Sequence, residues 1–387
     1  MIESSYHIKN KFPKKNRIIL IMDMFVSVNL RLCDMMKNSY LSMIVLYCLH
    51  KINGERTIYS ILHLLNGKKS SQTIQDAHIF NLTTFFSTFP LLKRAELDMH
   101  IDILNKQGFV STNAEQSYCV TSVGLKQLEE YFKPNPIPAN LNGWKFHNLT
   151  DLFWERLSLA IQVISHLKNR NSKYLPIQKS KEHHKWLKGY LYKCKLSKDE
   201  LAEKLYDELV ACLETMDGLD PSIFVKRVTG YQIIGLTEAQ AADQFDMDEE
   251  AYHIQFLSIL HYMLEKVGTK QGDFPLLSCM IEDKKRATPL TESSNRTFNL
   301  LQMGYRLEEI AQMRKLKKNT IEDHLVEIAL NIPNFDISAF VNIDKQKEIK
   351  MAINSVSSKQ LKYIRELVPD VDYFEIRLVL AKGGEKK

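Results

Sequence analysis

The 387-residue chain is 44% apolar and 25% charged, with 14 glycines and 11 prolines, the balance of a soluble globular protein with room for two or three domains. A formal net charge of +6 permits a polyanionic partner without demanding one. The six cysteines (Cys33, Cys48, Cys119, Cys194, Cys212, Cys279) form no C-x-x-C pair and no His pair follows at zinc-finger spacing, so a structural zinc has no ligand set. Scattered single cysteines fit a reducing cytoplasm.

Residues 1–37 read as an N-terminal extension. The basic Lys11–Arg17 precedes the largely apolar Ile18–Leu30, but Asp23 interrupts a run too short to span a bilayer. A first domain is expected over 38–133. Leu41, Val45, Leu46 and Leu49 have helical spacing that stops at Gly54, and Thr57 precedes a helix over Ile58–Leu65. Loop and short helical turns follow, then a helix over Lys93–Lys106 that ends at Gly108. Phe109-Val110 and Tyr118–Thr121 read as short strands around a polar, turn-prone Ser111–Ser117, before a helix over Leu125–Phe132. That order predicts a winged helix, with Lys93 and Arg94 opening its presumed recognition helix. The proline-rich Lys133–Pro138 is a linker.

A helical middle domain is expected over 149–272. It includes a capping box at Ser197 and Glu200, a helix start at Asp220-Pro221, and a helix-turn-helix-like pair over Leu236–Val267. The pair carries Glu238, Asp243, Asp246, Asp248, Glu249 and Glu250 with no basic residue up to Glu250, which suits protein contact better than DNA. Between Lys168 and Lys198 the charge reverses. Lys168, Arg170, Lys173, Lys179, Lys181, Lys185, Lys188, Lys193, Lys195 and Lys198 face Glu182 alone, with Tyr174, Trp186, Tyr190 and Tyr192 interleaved. Cations on phosphates and rings on bases would hold a single strand; equally, the rings could be core and the lysines solvated.

The last domain is expected over 286–382, beginning with three helices in Thr291–Leu330. Thr291 caps the first, whose inner face is Phe298, Leu300 and Leu301, and Gly304 ends it. Leu307–Met313 is a short second helix with Ile310 and Ala311 inward. The turn Arg314–Lys317 leads into a third helix with Ile321, Leu325 and Ile328 on one stripe. A small Ala311 at the crossing and Leu316 plugging the turn are what a helix-turn-helix requires. Such a module offers the front of its third helix to the major groove. Arg314, Lys315, Lys317, Lys318, Asn319 and Thr320 cluster there, and Arg296 and His324 complete the candidate DNA-binding set. On the same helix Glu322, Asp323 and Glu327 would repel phosphate if they faced the groove. Helices over Lys345–Asn354, Lys359–Val368 and Phe374–Ala381 follow, the last capped by Asp372 with Glu375 behind it.

Leu307-Glu308-Glu309-Ile310-Ala311, Leu316, Thr320-Ile321 and His324-Leu325 resemble the helix-turn-helix module at the C-terminus of some RecQ-type helicases, and Leu361–Ala381 is similar to its tail. Thr57-Ile58 with Leu65–Ser70, and Lys93–Gly108, resemble the winged-helix RQC domain of those helicases. Over about three-quarters of its length the chain is similar to YpbB-like proteins of Gram-positive bacteria, which stand beside a RecQ-type helicase. The resemblance implies a mainly α protein with an N-terminal winged helix, a helical middle region and a C-terminal helix-turn-helix. It also implies DNA and a RecQ-type helicase as partners in repair or recombination. Departures limit the chemistry: no G-x-x-x-x-G-K-[ST] loop occurs, and the four-cysteine zinc site is absent. Adjacent His183-His184 diverge on a helix and make no metal site. The expectation is therefore no enzyme activity, no cofactor, no metal and no membrane anchor. A transcriptional regulator or a scaffold without DNA affinity are the alternatives.

Overall fold

The computed structural model describes residues 39–284, 290–356 and 358–383, so the expectations for the N-terminal extension lie outside the described residues. The chain is mainly helical. In α1 (Tyr40–Ile52) the Ser39 hydroxyl accepts the Ser42 N–H at 3.2 Å, and Met43, Ile44, Val45 and Leu46 are wholly buried. A helix apolar on every side is a core helix, and the first hydrophobic cluster forms around it. Asn53 and Gly54 both take the left-handed conformation that stops it.

α2 (Tyr59–Leu65) and α3 (Ser71–Ile79) follow, then α4 (Arg94–Lys106), the antiparallel hairpin β1 (Val110–Ala114) and β2 (Ser117–Val120), and α5 (Ser122–Phe132). This is the element order of a winged helix, with two differences from the sequence expectation. Ser70 caps a full nine-residue helix, α3, where loop and short turns were expected. Ser111–Ala114, expected as loop, is strand: Ser111 pairs with Cys119 and Thr112 with Tyr118, leaving Glu115 and Gln116 at the tip. The hairpin is held from its ends, by buried Val110 and by the Ser117 hydroxyl, which donates to the Gly54 carbonyl at 2.8 Å. Thr121 caps α5 through the Gly124 N–H at 3.1 Å.

The middle of the chain contains α6 (Gly143–Phe146), α7 (Thr150–Lys168), α8 (Lys181–Cys194), α9 (Lys198–Leu213), α10 (Ser222–Val225), α11 (Glu238–Gln244), α12 (Glu249–Thr269) and α13 (Pro275–Cys279). The Ser197–Glu200 capping box starts α9, with bonds of 2.9 and 3.3 Å. Phe153, Leu157, Tyr252, Ile259, Met263 and Val267 are fully buried in a second cluster. The acids of Leu236–Glu250 are partly structural joints: Asp248 caps α12 and accepts the Tyr40 N–H, while Glu238 bonds His253 at 2.8 Å. His253 reaches the Thr88 carbonyl with its other ring nitrogen, and Ile254 belongs to the first cluster, so the two regions share one boundary.

α14 (Glu292–Gln302), α15 (Leu307–Arg314), α16 (Lys318–Asn331), α17 (Ile343–Ser355), α18 (Leu361–Leu367) and α19 (Tyr373–Gly383) complete the chain. The expected caps form at both ends of this series. Thr291 accepts the Ser294 N–H at 3.3 Å, and Asp372 and Glu375 cap α19 reciprocally at 2.9 and 2.8 Å. α16 is the axis of the series and packs on α14, α15 and α19, and also on α3. Arg377 of α19 closes this joint, donating to Gln75 of α3 at 2.9 Å and to Asp323 of α16 at 2.6 Å. The Trp144 indole donates to Asn331 at the far end of α16 at 2.5 Å, and the Lys359 backbone N–H donates to the Glu55 carboxylate. Arg377→Ala should free Asp323 and Gln75 together and cost on the order of 2 kcal/mol. The expected result is faster amide exchange in α3 and α16, with the centre of α12 unchanged.

Candidate nucleic-acid interface

The trihelical unit keeps the stripe expected on α16, but on α14 Ser294 and Thr297 are the buried residues, while Phe298, Leu300, Leu301 and Ala311, expected inward, are half-buried. Ile310, Ile321, Leu325 and Ile328 are fully buried, and Leu316 is half-buried at the turn. The turn between α15 and α16 is made by Lys315, whose backbone is left-handed at φ 52°, with the Leu316 N–H returning to the Ala311 carbonyl at 2.9 Å. A non-glycine residue in that conformation carries strain, offset here by the packing on either side.

Around this turn Lys315, Lys317, Lys318 and Asn319 are exposed and Thr320 is half-buried at the front of α16. Among the described residues, Lys315 and Lys317 have no ion-pair partner. Lys318 lies 3.9 Å from Glu308 and 4.0 Å from Glu322. Arg296 is exposed on α14 but bonded to Glu292 one turn away at 2.5 Å.

Two of the expected contacts turn inward instead. The Arg314 guanidinium donates to the Ser293 carbonyl and hydroxyl at 2.8 and 2.9 Å, and also to Thr297, tying α15 to α14. His324 is buried, with its Nδ1 2.9 Å from the Thr297 hydroxyl and 3.3 Å from Arg314. Guanidinium can only donate, so Nδ1 is the unprotonated acceptor and the ring is neutral. Burial first, and then the Arg314 charge, push its pKa down to about 4. Both residues brace the unit rather than face a ligand, because their side chains project from α15 and α16 towards α14.

The acids on α16 are also occupied. Glu327 is buried and accepts the Thr291 N–H at 2.5 Å and the Ser294 hydroxyl at 2.6 Å, which places it at the N-terminus of α14. Burial holds its carboxyl above the usual range despite these bonds. Asp323 is paired with Arg377, and Glu322 lies near Lys318. The repulsion expected of these acids is thus partly cancelled within the fold. The rear of α16 is closed, since Leu330 packs into the first cluster and Asn331 meets Trp144. Only the front end of α16 is presented, the end through which a helix-turn-helix reads bases.

In the winged-helix region Lys93 is exposed at the N-cap of α4, where Glu96 accepts its backbone N–H at 2.9 Å. Arg94 is exposed but lies over the Tyr59 ring, 4.2 Å from its centroid, bonds the Tyr59 hydroxyl and sits 3.7 Å from Asp98. The two therefore stand apart from the C-terminal cluster in role, one free and one committed to neighbours. In the basic stretch, three of the four interleaved rings are internal. Tyr174 stacks on His166, and Trp186 stacks on Tyr190 beneath the Arg156 guanidinium, leaving Tyr192 exposed. Gln75 and Arg377, which seat the terminal module, carry no pattern that sequence reasoning could have flagged.

Taken together, these features define a mainly helical protein with a C-terminal helix-turn-helix domain. Residues 293–380 match the family described as helix-turn-helix domain. Across its length the chain is 34% identical over 349 residues to Protein YpbB of Bacillus subtilis (strain 168), covering 90% of this chain and 98% of that protein. The chain belongs to the YpbB family. No solved structure matches it. Among the described residues no helix is long and apolar enough to cross a membrane.

The depressed His324 pKa gives a signed pH dependence. With a folded value near 4 against an ordinary 6.5, its contribution is complete above about pH 6.5 and is lost as pH falls towards 4. At pH 5 the loss is about 2 kcal/mol. His324→Gln keeps an acceptor without the titration. In urea unfolding its stability should therefore fall by about 2 kcal/mol less than wild type between pH 7.5 and pH 5.

Proposed function

We propose that this chain is a DNA-binding accessory protein without catalytic activity of its own, which grips DNA through the front of α16. The observation that carries the reading is the exposed cluster Lys315, Lys317, Lys318 and Asn319 on a helix-turn-helix turn, with Asp323 and Glu327 of the same helix engaged elsewhere and Glu308 and Glu322 near Lys318 alone. The helix dipole at the N-terminus of α16 adds to the attraction for phosphate. Arg314 and His324 hold that front in place from behind.

In this reading the protein works with a RecQ-type helicase in DNA repair or recombination. The support is the likeness of its two ends to the DNA-handling appendages of those helicases, and the lack of a phosphate-binding loop in the sequence. A protein with appendages and no motor gains function beside one that has the motor.

Binding to forked, duplex and single-stranded DNA across a salt series tests this. A fork preference supports the helicase-linked role, one tight palindromic operator would favour a transcriptional regulator, and no affinity at low salt would leave a scaffold. Lys317→Glu combined with Lys318→Glu should weaken duplex or fork binding and flatten the slope of log K against log salt by about two. Unchanged binding would remove the α16 front as the contact. Lys315→Gly, which suits the left-handed turn, should lower affinity while the melting temperature holds.

A further inference from the structure

A second surface, in the middle region of the chain, goes beyond the reading of the C-terminal domain. All ten lysines and arginines between residues 168 and 198 are exposed, and among the described residues only Lys193 has an ion-pair partner, Glu282 at 2.5 Å. Elsewhere the protein commits many of its cations: Arg56 to Asp76, Arg156 to Asp283, Arg377 to Asp323. Leaving this many positive charges together and unneutralised opposes folding through self-repulsion, a cost that a bound polyanion removes.

Helical geometry orders part of the set. Lys181, Lys185, Lys188 and Tyr192 recur at steps of four, three and four residues on α8, so they share one outward stripe about 16 Å long. The acids nearby are off the stripe or occupied. Glu182 is about 100° round the helix, Glu155 bonds His183 at 3.3 Å, and Glu282 holds Lys193. Gly189, beside the stripe, has open space around it. Tyr192 ends the stripe with its ring 86% exposed, where the other aromatic rings of this stretch are used internally.

We propose that Lys181, Lys185, Lys188 and Tyr192 form a track for single-stranded DNA, with the lysines on successive phosphates and the Tyr192 ring stacked on a base. A membrane surface is the other polyanion such lysines could meet. The apolar face of α8, Leu187 and Tyr190, is however packed into the core and is not free to enter a lipid interface. A single strand suits the stripe better than a duplex because only unpaired bases offer a face to Tyr192.

The test uses the full chain and a labelled oligothymidylate, read by fluorescence anisotropy over a salt series. Replacing Lys181, Lys185 and Lys188 together by Gln, and separately by Glu, should reduce low-salt affinity by roughly tenfold or more and flatten the log–log salt slope by about two. Tyr192→Ala should weaken binding by roughly tenfold with the slope unchanged, because stacking releases no counterions. All four side chains are exposed, so Tyr192→Ala should unfold as wild type does and the triple variants, relieved of repulsion, at no lower temperature. In a Lys317→Glu, Lys318→Glu background the triple variants should still lower oligothymidylate affinity by the same factor, which separates this surface from the α16 front. The proposal is overturned if the triple variants keep the wild-type slope, or if Tyr192→Ala binds as wild type does. It also fails if phosphatidylglycerol vesicles, and not the oligonucleotide, bind in a manner that depends on the three lysines.

Discussion

The arrangement of the C-terminal half depends on how α16 is seated. A third helix of a helix-turn-helix ordinarily buries one stripe and leaves the rest for the groove. Here Val326, Glu327 and Ala329 are buried along with Ile321, Leu325 and Ile328: Val326 and Ala329 lie in the terminal cluster, Glu327 sits against the start of α14, and α3 from the first region packs on the helix as well. Arg377 makes the seat specific. One guanidinium satisfies a side-chain amide on α3 and a carboxylate on α16, so moving either helix breaks one of its bonds, and moving α3 leaves the buried Gln75 amide without it.

This seating decides what the module can offer a ligand. The rear turn of α16 is committed to Trp144 and the first core, so any nucleic-acid contact is made by the leading turn and the Lys315 corner. The internal network of Arg314, Thr297, His324, Glu327 and Ser294 fixes that corner against α14. Charges that would have blurred the electrostatics are consumed there: one cation goes inward and one anion goes to a helix N-terminus. What is left facing out is a small surface of Lys315, Lys317, Lys318 and Asn319, with Glu308 beside Lys318.

The middle region contributes differently. Its acidic Leu236–Glu250 joins the first and second cores through Asp248, Glu238 and His253, while its basic stretch leaves the molecule with a cationic flank. The two opposite compositions thus do two jobs, one internal and one outward. Within this region Arg156 of α7 bonds Asp283 and covers Trp186, fixing the base on which α8 rests.

Much of this was legible in the sequence, and the reason is locality. Caps such as Thr291, Ser197–Glu200 and Asp372–Glu375, the stripe Ile321–Leu325–Ile328, and the left-handed stop near Gly54 are all set by residues within a turn or two of one another, so periodicity and side-chain chemistry determine them. The cation cluster at the α16 front was legible for the same reason. The sequence could not show that α3 is a helix rather than loop, because its buried residues run consecutively from Thr73 to Ala77 and mix polar Thr73, Gln75 and Asp76 with apolar Ile74 and Ala77, so no apolar stripe of helical period marks it. Nor could it show which of two neighbouring cations points out: Lys315 and Arg314 are adjacent in the chain, and only the presence of Ser293 and Thr297 on another helix draws Arg314 in. Side-chain direction and polar burial are properties of what packs alongside, across separations of tens to hundreds of residues, and these the tertiary structure alone decided.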